Sequence, residues 1–299
     1  MPDYTFLLDQ LNNKNIEFEI NQPMSKLTSF RVGRCADVVI FPKTMEEISF
    51  VVSALKTKEL KYYILGKGTN LLFKDTGDSF AIICLNKFKG LELSGQTIIA
   101  NAGESLASFC SLALDNSLSG AEFAWGIPGS IGGAIYMNAG AFGGEIKDII
   151  KTVTAINNQG EIVSLSYEEL ALGYRKSIFQ NDEFVILSGS FELSLGDKSQ
   201  IKSKMDEILS KRKAKQPLDY PSAGSTFKRP DGAFAAELID RCKLKGFRLG
   251  GAMVSEKHAG FVINYDNATA TDILKLIDYI KETVKEATGY KLECEVKIL

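Results

Sequence analysis

The chain is short of the residues that most metal sites and disulfide frameworks need. His258 is the only histidine among 299 residues, and Cys35, Cys84, Cys110, Cys242 and Cys294 lie far apart with no Cys-x-x-Cys pair. A zinc or iron–sulfur site is therefore not expected, and no metal is assigned. Five scattered cysteines also form no disulfide framework. Free thiols in a reducing compartment, mostly as small core residues, are the expectation. Neither sign of charge prevails, because 35 basic residues face 37 acidic ones for a formal net charge of −2. Without a basic field for a phosphate backbone, nucleic acid is not an expected partner. A long apolar run is also missing. The opening Met-Pro-Asp-Tyr-Thr-Phe has no basic leader, and no stretch approaches the roughly 20 apolar residues of a membrane span. A soluble, cytoplasmic monomer is expected.

What the chain has in quantity is glycine, gathered in one place. Residues 126–145 contain Gly126, Gly129, Gly132, Gly133, Gly140, Gly143 and Gly144, with Pro128, Asn138 and Ala139 between them and almost no charge. Such a segment cannot build a core alone. Structural turns would explain one or two glycines, but this density favours backbone brought close to a large anionic ligand, with N–H groups left open for it.

A second, shorter glycine loop, Gly66-Lys67-Gly68-Thr69-Asn70, lies between two apolar runs. It is not a Walker loop, because Lys61 stands where the first glycine belongs and Gly68 where a Ser or Thr should follow the lysine. It is not a dinucleotide fingerprint, because Leu71 replaces the third glycine and a strand-like Leu-Leu-Phe follows. A backbone nest ending in Thr and Asn donors remains.

At 299 residues two or three domains are expected. Periodicity gives an opening helix over 3–13, a strand ending at 41, a helix capped by Thr44 with Glu47, and strands over 62–65 and 80–85. A strand from 97, a helix over about 104–116, a hairpin over 152–165 turning at 157–160, a capping box of Ser166 with Glu169 and an alternating strand over 184–193 follow. A charged helix over about 199–215, stopped before Pro217, reads as a surface connector and domain boundary. The last third has its own α/β pattern: a helix over 234–242, short strands at 252–254 and 260–264, a long helix ended by Gly289, and a strand over 291–299.

Several motifs in this order resemble one family. Thr28-Ser-Phe-Arg-Val-Gly33, Leu65-Gly-Lys-Gly-Thr-Asn70, the 126–145 segment, Gly173-Tyr-Arg-Lys-Ser177, Ala223-Gly-Ser-Thr-Phe-Lys-Arg-Pro230 and a terminal Glu-Val are similar to the shorter class of UDP-N-acetylenolpyruvoylglucosamine reductases. The resemblance covers nearly the whole chain. It implies an α+β fold, with a two-subdomain FAD-binding module of the vanillyl-alcohol-oxidase type and a C-terminal α/β substrate-binding domain. The expected boundaries are 1–75 and 76–200 for the FAD-binding subdomains and 201–290 for the substrate domain, with the strand at 291–299 able to return to the FAD-binding core.

The implied cofactor is non-covalent FAD, with NADPH as co-substrate. Gly66, Lys67, Gly68, Thr69 and Asn70, with Gly126, Pro128, Gly129, Gly132, Gly133, Asn138, Ala139 and Gly140, are its implied contacts. The implied reaction reduces the enolpyruvyl group of UDP-N-acetylglucosamine-enolpyruvate to UDP-N-acetylmuramate for peptidoglycan synthesis, hydride passing from NADPH through FAD. Such an enzyme serves cell-wall biogenesis, cell shape and division. Addition at the methylene carbon drives charge into the neighbouring carboxylate, so the chemistry needs a cation there and an acid over the α-carbon.

Arg175 matches the family's catalytic arginine, Glu295 its C-terminal glutamate and Ser225 its proton donor. From the residues alone Arg175 could equally be a surface ion pair, Ser225 a turn serine and Glu295 a solvent-facing strand residue with Glu293 on the same face. Tyr174, Lys215, Lys245 and His258 match substrate-binding positions, although His258 could equally be a satisfied loop imidazole. Arg229 stands where some members have Asn, and His258 where some have Gln. Two rival readings exist. A flavin oxidase of the same fold commonly tethers its flavin to a histidine near the first glycine loop, where this chain has none. A sugar-nucleotide binding module would not need Arg175, Ser225 and Glu295 together.

Overall fold

The computed structural model describes residues 4–181 and 183–299. Contacts divide the chain into two compact units: residues 1–21, 36–67 and 79–210 form one, and residues 22–35, 68–78 and 211–299 the other. Mixed helix and strand fill both. The division differs from the expected boundaries at 75/76 and 200/201. Two short excursions, 22–35 and 68–78, leave the first unit to join the C-terminal one, and no local sequence pattern marks such a departure.

In the first unit a β-α-β element is built from apolar runs. Cys35–Phe41 and Tyr62–Leu65 both pair in parallel with Ala81–Cys84, which lies between them. The intervening helix Met45–Thr57 buries Ile48, Val51, Val52 and Leu55 on one face. Its cap is half a box. Thr44 accepts from the Glu47 N–H at 3.2 Å, but the Glu47 carboxylate accepts from Lys43 N–H and not from Thr44. A five-stranded antiparallel sheet follows, ordered Ile162–Ser166, Ile150–Ile156, Val185–Glu192, Thr97–Asn101, Leu91–Ser94. Asn157 closes the hairpin by accepting from Gln159 and Glu161 N–H. Ser166 and Glu169 form the expected reciprocal cap, although on a single 3-10 turn, Tyr167–Leu170. Val185–Glu192 is buried on both faces along most of its length, not alternating. Phe109 of the helix Leu106–Asp115 packs on Phe191 with ring centroids 4.9 Å apart.

The charged helix Lys198–Lys215 ends two residues before Pro217, as the restriction on residues before proline requires. It is more than a connector. Ile201, Met205 and Ile208, at helical spacing, are buried, and the division between units falls inside the helix at 210/211. Lys204 also reaches the buried Glu122 carboxylate at 3.4 Å. Burial alone would push Glu122 up, but bonds from Ser119 Oγ and Gly120 N–H, with Lys204, outweigh it and hold the carboxyl below its usual range.

The second unit packs the helix Ala270–Thr288 over a three-stranded antiparallel sheet, Arg248–Leu249, Ala252–Val254 and Val262–Asn264. Ile273, Leu276, Ile277, Ile280 and Val284 make its buried stripe. Thr269 and Asp272 cap it reciprocally, Gly289 ends it at φ +77°, and Asp75 accepts from the Ala270 and Thr271 N–H groups. The anticipated C-terminal strand is shorter than its sequence suggested. Only Lys297–Ile298 is regular, pairing in parallel with Leu71–Leu72, while Cys294 makes a single bridge to Phe227. The terminal segment serves two partners in succession and so cannot be one long strand. Among the described residues no helix is long and apolar enough to cross a membrane.

Candidate active site

Three predicted features of the first unit come together. Gly66 approaches the 126–145 segment so closely that a Cβ there would lie 2.1 Å from Ser130 Oγ. Within that segment the chain forms a short helix, Ile131–Tyr136, capped by Ser130. The N–H groups of Ile131 and Gly132 donate to Glu104 O and Ala102 O at 2.8 Å each, and that of Gly133 to Ser130 Oγ at 3.3 Å. Much of the glycine richness therefore serves close packing. A Cβ on Gly132 would meet Ala102 Cβ at 2.9 Å, and one on Gly140 would meet Glu145 Cγ at 2.5 Å. Gly129 is looser, 3.3 Å from Leu106.

The open donors lie in the other loop. Among the described residues the N–H groups of Lys67, Gly68, Thr69 and Asn70 have no acceptor. Gly68 is required there on two counts, a φ of +62° and a Cβ position 2.2 Å from Leu27 O. Consecutive unengaged amides suit a diphosphate, so these residues fit the diphosphate of FAD.

Asn138 is completely buried. Its Nδ2 donates to Glu145 Oε2 at 2.9 Å and Gly173 O at 2.8 Å, and its Oδ1 accepts from Lys147 N–H at 2.9 Å. Both ends of the amide are engaged within the protein. Asn138 thus clamps the glycine segment to the Gly-Tyr-Arg-Lys-Ser turn. That turn closes through paired bonds between Gly173 and Lys176, with Arg175 at φ +53°. Ser177 Oγ and Gln180 Nε2 both donate to Tyr136 O, and Gln180 also reaches Arg175 O. Arg175 Nη2 in turn donates to Gly140 O at 3.1 Å, and its Cζ lies 5.2 Å from the exposed Tyr174 ring. The arginine is oriented at the edge of the segment where the sequence placed the cofactor.

In the second unit Ser225 and Glu295 are brought together. Glu295 N–H donates to Thr226 O at 2.9 Å, and Lys228 N–H to Glu293 O at 2.9 Å. Thr226 is fully buried, with its hydroxyl accepting from Val262 N–H at 3.0 Å. Among the described residues the Ser225 hydroxyl makes one long contact, 3.4 Å, to Phe227 O. The structure also separates the two glutamates: Glu293 is exposed and 3.3 Å from Lys228 Nζ, whereas Glu295 is half-buried. Asn70 joins this group, its Nδ2 donating to Glu295 O at 3.1 Å.

Lys215, Lys245 and His258 share one neighbourhood of the second unit. Burial, aided by the charges of Lys245 and Lys215 and opposed by a backbone hydrogen bond, pushes the His258 pKa below its ordinary value. Its Nδ1 accepts from Gly260 N–H at 3.1 Å, which leaves the ring proton on Nε2. Lys245 also pairs with Asp240 at 2.9 Å. Arg229 lies over the Phe234 ring at 4.1 Å. Among the described residues no cluster of three His, Cys, Asp or Glu side chains could hold a metal ion.

Sequence reasoning passed over Glu145, Ser177, Gln180 and Thr226 as positioning residues. The first two and Thr226 lay inside quoted motifs, but Gln180 carried no signal.

A two-unit, mixed α/β protein with an FAD-binding domain is the class these features define: residues 36–166 match the family model described as FAD binding domain. Residues 216–299 match the model of the UDP-N-acetylenolpyruvoylglucosamine reductase C-terminal domain. The chain belongs to the UDP-N-acetylenolpyruvoylglucosamine reductase family. It is 46% identical over 280 residues to the member from Exiguobacterium sibiricum, covering 94% of this chain and 92% of that one. It is 45% identical over 295 residues to that from Caldanaerobacter subterraneus subsp. tengcongensis, covering 98% of each. The crystal structure of the Thermus caldophilus reductase superposes with a TM-score of 0.80 at 33% identity, covering 95% of this chain and 98% of that one. A berberine bridge enzyme variant, at 14% identity and a TM-score of 0.52 over 64% of this chain and 44% of that one, shares the fold alone.

Proposed function

We propose that the protein is an FAD-dependent UDP-N-acetylmuramate dehydrogenase that uses NADPH to reduce the enolpyruvyl group of UDP-N-acetylglucosamine-enolpyruvate. The observation that carries the reading is the main-chain bond from Glu295 N–H to Thr226 O, which joins Glu295 to the residue next to Ser225 although the two are far apart in sequence. FAD, when bound, supplies the two-electron relay between NADPH and the enol ether. The chain supplies the rest. The amides of 67–70 would hold the diphosphate, and the packed glycine segment would admit the ring. Arg175 is suited to the substrate carboxylate, where a planar guanidinium offers two parallel donors as negative charge accumulates. Ser225 donates the proton to the α-carbon, which as part of an enediolate-like species is basic enough to take it from a hydroxyl. Glu295 stabilises the same intermediate, and Tyr174, Lys215, Lys245 and His258 bind the sugar nucleotide. We place this activity in cytoplasmic peptidoglycan precursor synthesis, and through it in cell shape and division.

The visible spectrum of the purified protein tests the reading, followed under anaerobic conditions by NADPH and then the enolpyruvyl substrate. Bleaching by NADPH and recovery of colour on adding substrate are expected. Colourless protein that cannot be reconstituted with FAD would overturn the flavin assignment, and recovery with oxygen but not with substrate would favour an oxidase. Ser225→Ala is expected to slow the substrate step by about 10²- to 10⁴-fold, the usual worth of a positioned acid, while leaving reduction by NADPH intact.

A further inference from the structure

Asn70 ends the first glycine loop, a position that suggests a cofactor contact. Its side chain is committed elsewhere. Nδ2 donates to the main-chain carbonyl of Glu295 at 3.1 Å, and the main-chain carbonyl of Asn70 accepts from Lys297 N–H at 3.0 Å. On the other side of Glu295, its N–H is held by Thr226 O at 2.9 Å. Thr226 is fixed in turn, its N–H on Gly260 O at 2.8 Å and its hydroxyl under Val262 N–H at 3.0 Å. Both peptide groups flanking the Glu295 Cα are therefore anchored, and only its side-chain torsions remain. The amides of Lys67, Gly68 and Thr69, immediately before Asn70, have no acceptor among the described residues. One five-residue loop thus offers its amides to an anion and grips the catalytic strand with its last side chain.

We propose that the Asn70 side chain positions Glu295 and does not contact the cofactor, and that through it the filling of the 66–70 loop by a diphosphate is coupled to the placement of Glu295. The inference rests on the reductase reading of Glu295. A diphosphate bound to three successive amides fixes the loop backbone, and the loop fixes the Glu295 carbonyl. A misplacement of about 1 Å at a reacting group costs on the order of 100-fold in rate, so loss of this one bond has a kinetic consequence out of proportion to its strength.

The test uses holoenzyme carrying Asn70→Leu, similar in size, uncharged and without a donor, together with Glu295→Gln and the double variant. Flavin reduction by NADPH and its reoxidation by the enolpyruvyl substrate are timed separately, FAD affinity is measured by fluorescence, and amide exchange is followed at residues 295–297. Asn70→Leu is expected to slow reoxidation by about 10- to 100-fold, to leave reduction unchanged and to alter FAD affinity less than about threefold. In the double variant the two losses should not multiply, because both act through one carboxylate. FAD should protect the 295–297 amides in wild type, and less so in Asn70→Leu, where only the main-chain bond from Lys297 N–H to the residue-70 carbonyl still ties the loop to this segment. Weakened FAD binding with normal reoxidation at saturating FAD would overturn the proposal, as would multiplying losses. If Asn70→Leu does not fold, Asn70→Ser, too short to reach Glu295 O, takes its place. Wild-type protein that the substrate fails to reoxidise would instead sink the reductase reading, which keeps the two failures apart.

Discussion

In the 126–145 segment the amides of Ile131, Gly132 and Gly133 end on acceptors within the protein, whereas in the 66–70 loop those of Lys67, Gly68 and Thr69 do not. The two segments share a composition of glycine and small residues and put it to opposite uses. In the longer one glycine lets elements pack, with Ala102 and Glu145 occupying the space a Cβ would need. In the shorter one glycine sets a left-handed backbone and leaves donors open. Glycine density alone therefore does not say which amides are open to a ligand. That depends on what packs behind the loop.

The largest test of this contrast is Asn138→Ala. It strips three bonds from a completely buried residue and leaves the Lys147 N–H without its partner, while Gly173 O keeps the Lys176 N–H and Glu145 keeps Lys147 Nζ. At about 1–3 kcal/mol for the N–H left unsatisfied, and with a backbone at φ +41° that alanine tolerates less well than asparagine, a loss of roughly 3 kcal/mol in unfolding free energy is expected. Denaturant titration with and without FAD should show nearly the same loss, because the residue's work is internal. A loss confined to FAD-loaded protein would make Asn138 a cofactor contact and break the comparison. Gly140→Ala comes next. Its Cβ would meet Glu145 Cγ at 2.5 Å and Gly144 O at 2.8 Å, so about 1–3 kcal/mol of strain is expected. Because Gly140 O accepts from Arg175 Nη2, the substrate step should slow as well. Unchanged turnover would show that the orientation of Arg175 does not depend on that carbonyl.

Hydrogen exchange reads the same contrast without mutation. The amides of 67–69 should exchange freely in FAD-free protein and slow by about tenfold or more when FAD binds, whereas those of 131–133 should be protected in both states. Equal protection of both segments in the free protein would remove the distinction.

How much of this was open to sequence reasoning depends on the range of the contacts. The hairpin Ile150–Ile156 and Ile162–Ser166 was legible because alternation and the turn at 157–160 are local. The long helix Ala270–Thr288 was legible through its apolar period and Gly289. The helix Lys198–Lys215 was found but misjudged, since three buried apolar residues among many charges give almost no amphipathic signal. The division of the chain was not legible. Segments 22–35 and 68–78 belong with residues 211–299 through bonds such as Asn264 Nδ2 to Phe30 O and Asp75 to Thr271 N–H, which span most of the chain. At the candidate site, motif matching proposed Arg175, Ser225 and Glu295 one by one. It could not show that Asn70 reaches Glu295, or that Gln180 supports the Arg175 turn, because those pairings exist only once the chain is folded.

The smallest expected effect comes from Gly143→Ala and marks the limit of the packing argument. Gly143 belongs to the same glycine-rich segment, but a Cβ there would meet nothing within 4 Å, so the crowding that makes Gly140 and Gly132 irreplaceable is absent. What remains is its backbone, at φ +89°, where an L side chain is strained. A loss of about 1 kcal/mol is expected, with FAD affinity and turnover unchanged. Gly143→Asn should recover part of that loss, because asparagine tolerates a left-handed backbone better than alanine does. If Gly143→Ala weakened FAD binding without destabilising the FAD-free protein, the outer part of the segment would be a ligand surface after all. The line between packing glycines and ligand glycines would then run through the 126–145 segment and not between the two loops.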